Sequence, residues 1–151
     1  MIFVATGKRF ELEQVLRYRL DVERVRKQEF ATAKQGFDHA RDQLAQEEIL
    51  TQNTSQEFLQ RQREMDSIDE IRMYADFFAR QREEIKKQKK RVDDLGHVLN
   101  ERRSTLLDAT KDKKALESLK EKKALEHKLE MDRKEQDFMD EIAIQNKQKV
   151  A

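Results

Sequence analysis

The chain has 151 residues, 42% charged and 36% hydrophobic, with three glycines and no proline, cysteine or tryptophan. That balance is too polar for a globule with a thick interior, and the apolar residues are too regularly spaced for a disordered chain, which leaves thin two-layer helix packing. Lys and Arg number 32 against 31 Asp and Glu, a net charge of +1. The basic excess usual in nucleic-acid binders is therefore missing, and the lack of cysteine excludes disulfides and cysteine-ligated metals and fits a reducing cytoplasm.

The chain opens with MIFVATGK, an apolar stretch too short for a signal peptide, and nothing downstream approaches a membrane-spanning run. The expectation is a soluble intracellular protein without membrane insertion. Gly7-Lys8 has neither the following Ser or Thr nor the preceding glycine of a phosphate loop. A first helix is predicted from about residue 9 to about residue 63. Within it Val15, Tyr18, Val22 and Val25 keep the alternating three-and-four spacing of a coiled-coil seam. Phe30, Ala33, Phe37, Ala40 and Leu44 keep the same spacing one residue out of phase, and the jump between the two sets predicts a stutter.

The reversal is predicted near residues 64–67, inside QREMDSIDEI. Ser67 with Glu70 fits a capping box, and Asp69 adds a negative charge to the first turn of the next helix. A second candidate turn is TQNTS at 51–55. The second helix is expected from about residue 68 to about residue 147, roughly 120 Å of rod at 1.5 Å per residue. Its seam is the longest pattern in the chain: Ile71, Tyr74, Phe78, Gln81, Ile85, Gln88, Val92, Leu95, Leu99, Arg102, Leu106 and Ala109. A fold-back near residue 66 makes partner numbers sum to about 132. Phe37 then meets Leu95, Ala40 meets Val92, Ala33 meets Leu99 and Phe58 meets Tyr74, with Gly36 and Gly96 in the Phe37 layer. The predicted fold is all-α, a long two-helix antiparallel coiled-coil hairpin with unequal arms, forming one elongated domain over residues 1–151.

Unequal arms leave residues uncovered. Past about residue 124 the second helix still carries Leu125, Leu129, Phe138, Met139, Ile142 and Ala143, largely on one face. This stretch is either a frayed tail or a helix that docks into another protein. Phe10, Leu12, Val15 and Leu16 begin the first helix beside it, so a two-helix tip is expected from Phe10, Leu12, Val15, Leu16, Leu125, Leu129, Met139 and Ile142. Of the aromatics in RMYADFFARQ at 72–81, Tyr74 and Phe78 fall at seam positions and Phe77 beside the seam. Phe77 either shields the seam edge or anchors a partner. Ile49 and Leu50 lie off the first seam about one turn from Phe77 on the other arm, which makes a mid-hairpin patch of Ile49, Leu50 and Phe77. The run KKQKKR at 86–91 reads as a solvated helix face. His39, His97 and His127 stand singly without ligand spacing. A two-helix rod has no pocket, so no catalytic residue, cofactor or metal site is expected, and the chain is not expected to be an enzyme.

Both ends resemble one family. KRFELEQVLRYRLDVERVRKQE at 8–29 resembles the beginning of the flagellar export protein FliJ family in its F-x-L-x-x-V-L-x-x-R pattern at Phe10, Leu12, Val15, Leu16 and Arg19. MDRKEQDFMDEIAIQNKQK at 131–149 is similar to the family's ending, with Met139, Asp140, Glu141 and Ala143 on its M/L-D-E-x-A motif. Tyr74, Phe77 and Phe78 resemble the start of its second helix, whereas the apolar start Ile2 to Ala5 departs from the shorter family beginning. The resemblance implies an antiparallel coiled coil like the gamma stalk of rotary ATP synthases. It implies a non-enzymatic stalk that sits in the hexameric flagellar type III export ATPase, links it to the membrane export gate and assists chaperone cycling. Such a protein is cytoplasmic and peripheral at the inner membrane. The tip residues would then meet the ATPase and the mid-hairpin patch the export gate. The alternatives are the equivalent stalk of a virulence-type secretion system and a generic coiled-coil scaffold.

Overall fold

The structure is a computed structural model and describes residues 10–150. Its two helices are α1, Glu13–Arg61, of 49 residues and α2, Ile68–Val150, of 83 residues. They pack antiparallel as a hairpin with unequal arms, and there is no strand among the described residues. The start expected near residue 9, the Gly7-Lys8 pair and the Ile2–Ala5 segment lie outside the described residues. Contacts group the chain into two compact units. One is Arg26–Leu106, and the other joins the chain up to Val25 with the chain from Leu107.

The reversal occupies residues 62–67 between the helices. The Glu64 N–H donates to the Arg61 carbonyl at 2.9 Å, which closes the last turn of α1. Ser67 caps α2: its hydroxyl oxygen accepts from the Asp69 N–H at 3.2 Å, satisfying one of the donors a helix start leaves open. Asp69 and Glu70 in that first turn complement the positive end of the helix dipole.

In the unit Arg26–Leu106 the seam is largely apolar. Phe58 meets Tyr74 with ring centroids 5.2 Å apart, and Phe78 packs edge-on against Phe58 at 6.1 Å. Ala40 and Leu99 are buried, and Phe37 lies under Gly96, where an added Cβ would come within 3.4 Å of its ring. Gly36 meets nothing within 4 Å. One polar layer interrupts the seam: the Gln81 amide donates to the Glu47 carboxylate at 2.8 Å and to the Thr51 hydroxyl at 3.1 Å. A bonded polar layer of this kind fixes register at some cost in stability. Gln81–Thr51 and Phe58–Tyr74 both sum to 132 in residue number. Ile71, expected in the seam, is exposed. Its partner by that sum is Arg61, the last residue of α1, so no helix remains to cover it.

The burial pattern along α1 overturns the expected stutter. Every seventh residue from Leu16 through Glu23, Phe30, Phe37, Leu44 and Thr51 to Phe58 is buried or half-buried, with no change of phase. Val15, Tyr18 and Val25, assigned by spacing to the seam, are exposed, and only Val22 of that set is half-buried. The seam positions hold charges instead. Glu13 and Glu23 keep 4% and 5% of their surface, and each meets a lysine of α2. Lys120 lies 2.9 Å from Glu13, and Lys113 lies 3.1 Å from Glu23. Arg19 reaches Asp112 at 3.2 Å. A carboxylate can be buried where a cation crosses to it, and the lysines of α2 supply that cation.

Candidate interaction surfaces

Among the described residues no group of three or more His, Cys, Asp or Glu could hold a metal ion, and no helix is long and apolar enough to cross a membrane. The features that stand out are a groove and exposed apolar side chains. Each lies within a single unit.

In Arg26–Leu106 a shallow groove of about 420 Å³ is floored by Tyr74, Phe77 and Met73 and edged by Thr54, Arg61, Glu70 and Arg80. Phe77 is half-buried, its ring 5.6 Å from that of Phe78. It therefore braces the seam at Phe78 while lining the groove. The groove edge is organised by a short relay. Arg61 donates to the Tyr74 hydroxyl at 3.2 Å, and that hydroxyl donates to Glu57 at 3.2 Å. The bond to Tyr74, helped by the charges around it, raises the Arg61 pKa above its ordinary value. The groove edge therefore carries charges of both signs, Arg61 and Arg80 with Glu70, around an apolar floor.

Ile49 and Leu50 are exposed on α1, but they do not line this groove. Met73, which does, was missed in the sequence reading. It stands four residues before Phe77 on the same helix face, a signal that the spacing carried. The basic run 86–91 is exposed at every position except Gln88, whose amide donates to Glu84 at 3.1 Å while its Oε1 is buried without a partner.

In the other unit Leu12, Val15 and Leu125 are exposed, whereas Phe10 and Leu16 are buried to 5% and hold the tip together from within. From Lys128 to Val150 every residue is exposed, Leu129, Met139 and Ile142 included. Glu13, the first residue of α1, meets Lys120, and beyond it Ala124 and His127 are still half-buried. The tip is thus an apolar edge of Leu12, Val15 and Tyr18 continued by an uncovered helix. Tyr18, 62% exposed, was missed because the spacing placed it in the seam.

The family model described as the flagellar FliJ protein matches residues 8–150. No curated protein and no solved structure matches the chain. The match takes in both helices and both surfaces, and the family is a non-catalytic component associated with flagellar type III export. The chain with these two unequal helices belongs to the flagellar FliJ protein family.

Proposed function

We propose that this chain is a cytoplasmic stalk of the flagellar type III export apparatus, peripheral at the inner membrane. Its tip enters the hexameric export ATPase, its mid-hairpin groove meets the membrane export gate, and it takes part in chaperone cycling. The observation that carries this reading is the uncovered run of α2. A helix in water draws most of its stability from burying an apolar face. Residues 128–150 have no such burial among the described residues, and an ATPase ring would provide it. Leu12, Val15, Leu125, Leu129, Met139 and Ile142 are the contact residues, with Phe10 and Leu16 supporting them from beneath. Phe77 with Ile49 and Leu50 forms the gate-facing part.

The test is stimulation of the purified export ATPase by the full chain. Leu129→Glu with Ile142→Glu, or removal of residues 125–151, abolishes stimulation and leaves the helical signal of the hairpin from about residue 20 to about residue 115 intact, because a charge forced into an apolar contact has no partner. Full stimulation by the truncated chain would move the ATPase contact elsewhere on the hairpin.

A further inference from the structure

The first turns of α1 carry two stripes that could each serve as a seam. One is Val15, Tyr18, Val22 and Val25, spaced by three and four and apolar throughout. The other, one residue away, contains Leu16, Arg19 and Glu23, with Glu13 beside it, and this is the stripe turned toward α2. A turn of α1 by about 100°, one residue of helix, would exchange them. Burial of apolar surface favours the valines and the tyrosine. The chain does the opposite, leaving Tyr18 62% and Val25 46% exposed while two glutamates are covered.

The reason lies on α2. Its seam at this level presents Lys113 and Lys120, whose side chains are 17% and 22% exposed. Facing valines, both ammonium groups would lose their partners on α1. Facing glutamates, each has a carboxylate at 3.1 Å or closer. Lys113 is also within 4.0 Å of Glu117 on its own helix, so the inter-helix contact is part of a small network. A half-made network is worse than none, which penalises intermediate orientations. Buried ion pairs add little net stability over apolar packing, and their best-attested use is to select one arrangement among several.

We propose that Glu13–Lys120 and Glu23–Lys113 are an orientation lock that holds the apolar stripe Val15, Tyr18 and Val25 outward, where a partner can reach it. Without the lysines the stripe turns inward and the surface disappears. What the surface is for rests on the stalk reading above; the lock itself does not.

The experiment uses the full chain carrying Tyr74→Phe, so that tyrosine emission reports Tyr18 alone, since the chain has two tyrosines and no tryptophan. In the parent, acrylamide quenches Tyr18 as an exposed residue. In Lys113→Leu/Lys120→Leu the quenching constant falls severalfold with helical content retained. The charge-reversed chain, Glu13→Lys/Glu23→Lys/Lys113→Glu/Lys120→Glu, re-forms both pairs and restores the parental quenching. Unchanged quenching in the leucine variant would overturn the proposal. So would loss of helical signal in place of turning, because the pairs would then be simple fasteners. A charge-reversed chain with a shielded Tyr18 would overturn it as well. The ATPase assay separates the two readings: a shielded Tyr18 with full stimulation keeps the lock and removes this face from the ATPase contact.

Discussion

The unit Arg26–Leu106 is held by rings and aliphatic side chains, with Phe58, Tyr74 and Phe78 within 6.4 Å of one another. The other unit is held at comparable positions by Glu13–Lys120, Glu23–Lys113 and Arg19–Asp112. The same heptad spacing therefore runs through two different chemistries. Apolar packing is non-directional and tolerates small adjustments, so it supplies cohesion. Ion pairs demand one geometry and yield little net energy, so they supply choice of face. The apolar unit leaves a groove beside Phe77 and scattered exposed residues such as Ile49 and Leu50, while the ionic unit leaves Val15, Tyr18 and Val25 on the outside.

The largest expected effect breaks the apolar side of this contrast. Phe78→Ala removes the ring that contacts Phe58, Tyr74 and Phe77. Denaturant melts should show a loss toward the low end of the about 3–5 kcal/mol found for Phe→Ala in cores, since Phe78 is only half-buried. Phe77→Ala should cost clearly less, because among aromatic rings it touches Phe78 alone. Equal losses would assign Phe77 to the seam and leave the groove without its anchor.

The ionic side is sharpened by a pair of variants. Glu23→Ala leaves Lys113 with only the longer contact to Glu117, and melts should fall by about 1–3 kcal/mol. Glu23→Leu with Lys113→Leu removes both charges, and stability should return to the parental value or exceed it by about 1 kcal/mol or more. If the double variant is as weak as the single one, the pair contributes stability rather than orientation.

Smaller still are the glycines. Gly36 faces open space, and a methyl at Gly96 would reach only ordinary contact with Phe37. Gly36→Ala and Gly96→Ala should each raise stability by about 0.5–1 kcal/mol through helix propensity. A loss at Gly96 would mean that Phe37 cannot give way. The smallest change is Arg24→Ala, which breaks an ion pair to Asp21 whose side chains are 70% and 65% exposed. Screened by water, it should shift melts by no more than about 0.5 kcal/mol, against the larger loss at Glu23.

Much of this architecture is readable from the residues alone. Absence of proline and sustained heptads dictate two long helices, because nothing interrupts backbone hydrogen bonding and each helix has one apolar side. Ser67 with its following acids marks the reversal, and the pairing of Phe58 with Tyr74 follows from counting outward from it. The uncovered run of α2 follows from the same count. What spacing could not decide is which of two adjacent stripes at the start of α1 faces inward. That depends on Lys113 and Lys120, about ninety residues and more further along the chain, and only the folded hairpin brings them beside Glu23 and Glu13. Burial of Phe10 and Leu16 and the groove beside Phe77 are likewise set across the pair. Periodicity reports that a face is apolar, whereas the partner's charges determine whether that face is the one covered.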